Sequence, residues 1–173
     1  DGLGMLAART AYLSRITGRP VKWAYSREES IERTGKRHPF LLRYKAGATW
    51  DGKILAWQGE QIASAGAYSN HTLFVNWRAN VHSAGAYDIE NVSTDTYGVF
   101  TNTPPSGAFR GYSSPQLLYA QEQFIDELAE ALGMSEVELR RINRLHDGSL
   151  AVTGAPVELM EFEEVDYWPE LCE

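Results

Sequence analysis

Trp50-Asp51-Gly52 stands between two long runs of alternating apolar residues, about 40–49 and 53–67. Asp-Gly tolerates the unusual backbone angles of a tight turn, so the pattern predicts a long β-hairpin. The rest of the chain must then cover one face of that hairpin. Leu3, Leu6, Ala7, Thr10, Leu13 and Ser14 recur at helical spacing, and Gly18-Arg19-Pro20 ends that helix. The short β-rich stretch 20–25 predicts a strand. Ser26 then caps a brief helical turn through Arg27-Glu28-Glu29-Ser30, with its acids at the positive end of the helix dipole. Further along, the spacing predicts a helix over 73–83, a strand over 92–100 and a long helix over 115–132. Gly133 stops the long helix, and Ser135 with Glu138 forms a capping-box pattern for the next one.

This order predicts an α+β fold: a mixed sheet containing the long hairpin, with helices packed mainly on one face. Residues 1–146 read as one domain. Asp147-Gly148-Ser149 and Thr153-Gly154-Ala155-Pro156 then open an irregular C-terminal extension, 147–173, with a short helix.

Five Trp, nine Tyr and six Phe argue for a packed core rather than disorder. A formal charge of -7 argues against nucleic acid as a partner, because phosphate backbones select basic surfaces. Much of the acidity lies in Glu158, Glu161, Glu163, Glu164, Asp166, Glu170 and Glu173, which read as a solvated tail. Cys172 is the single cysteine, so no internal disulfide and no cysteine metal cluster is expected. No apolar run has membrane-spanning length. With Asp1 at the start in place of methionine, the reading is a cytoplasmic protein seen in part.

The chemistry concentrates in Gly107-Ala108-Phe109-Arg110-Gly111-Tyr112-Ser113-Ser114-Pro115-Gln116. Small residues let a ligand approach the backbone, while the aromatics and the arginine can stack on and donate to a flat polar molecule. A glycine-rich loop feeding a helix N-terminus makes a good anion or cofactor cradle. The same residues are also compatible with a plain structural turn. Arg37-His38-Pro39 is similarly open: Arg37 or His38 can reach a cofactor phosphate, or His38 can be a structural histidine at a strand entrance.

Ala108-Phe109-Arg110-Gly111-Tyr112 with Pro115-Gln116 resembles the Ala-Phe-Arg-Gly-Phe-Gly-Gly-Pro-Gln loop of xanthine dehydrogenases and their relatives, the molybdenum hydroxylases. Three more segments agree in order: Thr17-Gly18-Arg19-Pro20-Val21 with Arg27-Glu28-Glu29, Gly35-Lys36-Arg37-His38-Pro39-Phe40, and Asn143 with the later Thr153-Gly154. The resemblance implies part of the family's molybdopterin-binding domain. It implies oxidative hydroxylation of an N-heteroaromatic ring or an aldehyde, with water as the oxygen source. The implied cofactor is a molybdenum-pterin, with or without a dinucleotide extension; iron-sulfur clusters and FAD are expected on partner domains or subunits. A pterin-held metal needs no protein ligand cluster.

The resemblance also assigns roles. Arg78 matches the substrate-site arginine by its distance from Arg110, and a guanidinium can stabilise charge that builds on the substrate. Tyr112 replaces a phenylalanine that stacks on the substrate ring. Ala108, Phe109, Arg110 and Gly111 are expected to face the cofactor, while Ser113-Ser114 replaces Gly-Gly and adds two hydroxyls. The family's Gly-Gly-Phe-Gly-Gly loop and its catalytic glutamate fall outside this stretch, and Glu28, Glu29 and Glu122 sit in no matching motif. The chain on its own is therefore expected to be inactive. A non-catalytic scaffold of the same fold, a reductive or non-purine family member, and an unrelated α+β binding protein are the competing readings.

Overall fold

The structure, a computed structural model, describes residues 2–157. In chain order its elements are α1 (Gly2–Thr17), α2 (Arg27–Arg33), β1 (Phe40–Ala48), β2 (Ile54–Gly66), α3 (Thr72–Val81), β3 (Asn91–Phe100), α4 (Ser114–Leu132) and α5 (Glu136–Asn143). The strands form one sheet in the order β1-β2-β3. β1 and β2 are antiparallel across the expected turn, where Thr49 N–H bonds the Lys53 carbonyl and Ser64 N–H bonds the Pro39 carbonyl. β2 and β3 run parallel: the Asn91 amide donates to the Leu55 carbonyl and Thr101 N–H to the Gly66 carbonyl, so residue numbers rise together. The sheet is therefore mixed, as the fold class required.

Among the described residues, one compact unit comprises those up to 41 with 62–78 and 96–113; the other comprises 42–61, 79–95 and those from 114 onward. In the second unit, β2 buries Trp57 between the exposed Ala56 and Gln58. Trp57 joins Ile54, Ala84, Tyr87, Ile89, Ile125, Ala129 and Leu139 in the core, with Tyr44, Phe124 and Leu128 packed against it. Each fully buried Ile or Leu there contributes about 1.5–3 kcal/mol. Trp57 meets Phe124 edge-on at 5.2 Å and Tyr44 at 5.0 Å between ring centroids. The α4 helix buries Leu117, Gln121, Ile125 and Ala129, one every four residues, which is why a single face of it joins the core.

The same unit carries a polar lattice. Arg140 on α5 pairs with Glu122 at 2.8 Å and Asp126 at 2.7 Å on α4, and Glu122 also accepts from the Tyr87 hydroxyl. Burial, followed by the neighbouring carboxylate of Glu122, pushes the Tyr87 phenol well above its ordinary range. Burial likewise raises Tyr44 to about 12. Both phenols hold their protons more tightly folded than unfolded, so stability is intact below pH 10 and declines as pH rises through the folded values. Urea midpoints should fall between pH 10 and 12, Tyr44 accounting for about 2 kcal/mol. Tyr44→Phe should flatten that decline; an unchanged slope would remove Tyr44 as its source.

Several local readings need correction. Residues 20–25 form no strand; Trp23 and Tyr25 pack edge-on at 6.3 Å between centroids instead. Local β preference specifies extended backbone, but a strand also requires a hydrogen-bonded neighbour. Ser135 occupies the N-cap of α5 without a side-chain cap bond, so the Ser135–Glu138 box does not close. The closed capping box is at α2, where Glu29 N–H bonds the Ser26 hydroxyl and Ser26 N–H bonds the Glu29 carboxylate. Leu150 and Pro156 pair within the irregular stretch after His146. The short helix expected in 147–173, the acidic run from Glu158 and Cys172 lie outside the described residues.

Candidate functional site

The loop that the sequence singles out belongs to the first unit, and its root is tightly specified. Gly107 N–H bonds the Lys36 carbonyl at 2.7 Å, and the Asn70 amide bonds the Ser106 carbonyl at 2.9 Å. Gly35 and Gly107 pass so closely that a Cβ on Gly35 would lie 3.0 Å from the Gly107 Cα. His38 is buried, with Nε2 2.9 Å from the Thr72 hydroxyl and a hydrogen bond to the Gly107 backbone. Burial holds the His38 imidazole below its usual range, against the Gly107 bond and with His71 adding repulsion. His38 thus joins the start of α3 to the root of the loop, which is the structural role.

From that root Ala108, Phe109, Arg110, Gly111 and Tyr112 all project to the surface. Tyr112 N–H closes a turn onto the Phe109 carbonyl at 2.6 Å, which takes Gly111 to φ 80° and Tyr112 to φ 51°. A tyrosine in the left-handed region is strained, and such strain persists only where the surroundings over-determine it. Arg37 supplies part of that determination: Nη2 donates to the Arg110 carbonyl at 2.9 Å, Nη1 to the Tyr112 carbonyl at 3.0 Å, and Cζ lies 4.7 Å from the Phe109 ring centroid.

Arg78 ends its own turn of α3 with its guanidinium over the Tyr112 ring, 5.3 Å from the centroid. The structure therefore brings together the two residues expected at the substrate, which stand 34 positions apart in the chain. Ser113 differs from expectation. It is wholly buried and its hydroxyl has no hydrogen-bond partner among the described residues, so it faces inward rather than toward a surface ligand. Pro115 sits in the first turn of α4, where its missing N–H costs nothing.

Residues 3–144 match the family described as the molybdopterin cofactor-binding domain. The chain belongs to that family. Within it the chain is 42% identical over 148 residues to the nicotinate dehydrogenase large molybdopterin subunit of Eubacterium barkeri, covering 86% of this chain and 35% of that protein. It is 35% identical over 167 residues to xanthine dehydrogenase of Oryza sativa subsp. japonica, covering 96% of this chain and 12% of the relative. The fold superposes on an aldehyde oxidoreductase from Desulfovibrio gigas with a TM-score of 0.84 and 32% identity, covering 91% of this chain and 18% of that one. The chain thus spans about a third or less of the proteins it matches. These relatives place the molybdopterin-binding chain in the xanthine dehydrogenase and aldehyde oxidase family.

The remaining titratable groups arrange differently. Glu122 is engaged by Tyr87 and Arg140, a structural pairing. Ser149 Oγ and Asp88 both approach Nδ1 of His146, at 2.9 and 3.6 Å, and two groups on one ring nitrogen do not make a nucleophile relay. Among the described residues no three His, Cys, Asp or Glu side chains gather to hold a metal ion. No helix among them is long and apolar enough to cross a membrane.

What sequence reasoning missed is the use made of Arg37. The local pattern offers Arg37 only as a phosphate ligand, and its two carbonyl acceptors lie far along the chain, where no local pattern points to them.

Proposed function

We propose that residues 1–146 are part of the molybdopterin-binding domain of a larger hydroxylase, with 147–173 as a C-terminal extension. The observation that carries this reading is the exposed, strained loop 108–112 with the Arg78 guanidinium stacked on Tyr112. Its donor set fits an anionic pterin: the Arg110 cation is at the surface, and Gly111 leaves the backbone accessible beside it. Ala108, Phe109, Arg110 and Gly111 would hold the cofactor. When bound, the molybdenum-pterin supplies the two-electron oxidation, with water as the source of oxygen.

The protein's own contribution is orientation and charge. Tyr112 offers an exposed aromatic face on which a flat heterocycle stacks. Arg78 donates through its guanidinium to a carbonyl or carboxylate of the substrate and stabilises negative charge developing on the ring. Iron-sulfur and flavin groups on partner domains or subunits would take up the electrons. A non-purine substrate is the second reading, favoured by the 42% identity to a nicotinate dehydrogenase subunit.

The test uses the full-length protein with its partner subunits, assayed for molybdenum, pterin, and turnover of hypoxanthine, xanthine and nicotinate. Cofactor should be present, and Arg78→Ala should lower kcat/KM by roughly 30- to 100-fold. The present chain alone should not turn over. Absence of pterin from protein made in a cofactor-producing host would favour the non-catalytic scaffold. Full activity in Arg78→Ala would remove Arg78 from the substrate site.

A further inference from the structure

We propose that Arg37 is the positioning residue of the site, setting the attitude of the loop that presents Phe109 and Tyr112. Its effect on substrate rests on the hydroxylase reading; its effect on the loop does not.

Loop 108–112 is exposed along its length, and two successive residues adopt positive φ, one of them a tyrosine. The local turn bond from Tyr112 N–H to the Phe109 carbonyl closes the loop without fixing the direction in which it points. Arg37 adds what is missing. One guanidinium edge donates to two carbonyls two residues apart, Arg110 and Tyr112, and its face lies against Phe109. A planar fork can satisfy both carbonyls while stacking; a lysine ammonium has three N–H donors on one nitrogen but no planar face, so it cannot bridge both carbonyls and stack on the ring together. Arg37 itself is fixed by its neighbours: Lys36 accepts the Gly107 N–H and pairs with Ser106, while His38 is buried against Thr72 at the start of the helix that carries Arg78. The segment 36–38 therefore connects the loop with α3. Through the Tyr112 ring, Arg37 governs where the Arg78 guanidinium meets an aromatic face.

This is a role distinct from binding a cofactor phosphate, because the guanidinium edge used here is directed at the protein's own carbonyls. It predicts a loss of order confined to the loop and weaker substrate stacking, with less effect on the chemical step.

The experiment compares wild type, Arg37→Gln and Arg37→Lys in the full-length protein with its partner subunits. Hydrogen exchange is followed by mass spectrometry, and KM, kcat and pterin content are measured on the same preparations. Arg37→Gln should speed exchange in peptides covering 107–113 at least tenfold, leaving the 44–60 hairpin within twofold as evidence of an intact fold. KM should rise roughly tenfold and kcat change less than threefold, with Arg37→Lys recovering only part of either effect. Unchanged exchange in 107–113 overturns the proposal, as does faster exchange with unchanged KM. Full recovery by Arg37→Lys would show that charge alone suffices, and would also overturn it. If Arg37→Gln does not fold, the exchange of Arg37→Lys decides. Should wild type contain no pterin, the hydroxylase reading fails, while the exchange data still decide whether Arg37 holds the loop.

Discussion

Asn143→Ala should destabilise the protein by about 3 kcal/mol or more, an unusually large loss for removing a side chain with no apolar surface to speak of. Asn143 is wholly buried at the end of α5. Its Nδ2 donates to the Gly52 carbonyl at 2.7 Å and the Leu139 carbonyl at 2.9 Å, while Oδ1 accepts the Ile54 N–H at 2.8 Å. Gly52 lies in the hairpin turn and Ile54 opens β2, so one amide secures both sides of the turn to the last helix. Alanine leaves the buried Ile54 N–H and Gly52 carbonyl unsatisfied, and each such group costs about 1–3 kcal/mol. Asn143→Asp should be no better, because a carboxylate oxygen would face two carbonyls where an amide had donated. Urea unfolding of both variants checks this; a loss under about 1 kcal/mol for Asn143→Ala would mean that water replaces the amide at little cost.

Gly66→Ala should cost about 2–5 kcal/mol, the sum of two separate penalties. Gly66 has φ 74°, a conformation alanine adopts only with strain, and a Cβ there would lie 2.3 Å from the Pro104 carbonyl oxygen. The obstacle is backbone, so no rotamer relieves it. The surrounding segment is bonded to Gly66 and both its neighbours: Thr101 N–H to the Gly66 carbonyl, Ala67 N–H to the Thr103 carbonyl and Ser106 N–H to the Ala65 carbonyl. Displacing Pro104 would therefore disturb the lead-in to the candidate loop as well as stability. Gly133→Ala is the natural comparison. Gly133 has φ 69° with nothing within 4 Å of its would-be Cβ, so only the strain penalty of about 1 kcal/mol applies. Equal losses at the two sites, measured by urea unfolding, would refute the steric argument.

Elements whose cause is local were readable in advance. The Trp50-Asp51-Gly52 turn forms where expected, with Gly52 at φ 91°. Gly18 and Gly133 take positive φ just beyond α1 and α4, the positions from which they end those helices. The strand expected over 20–25 fails for the converse reason, since pairing is decided by residues elsewhere in the chain. The candidate site divides in the same way. The loop 107–112 stood out by its glycines, aromatics and arginine, but the clamp from Arg37 and the burial of Ser113 were invisible, because each depends on groups distant in sequence.

Sequence alone therefore determined the hairpin, the helix ends, the α+β class and the residues that carry the family resemblance. These follow from backbone preference and side-chain periodicity, which act over a few residues. Only the tertiary structure decided that Arg78 stacks on Tyr112, that Arg37 grips the loop through two carbonyls, and that Asn143 secures the hairpin turn. Those contacts need groups from separate segments to meet within hydrogen-bonding or stacking distance, and the packed chain alone sets those distances.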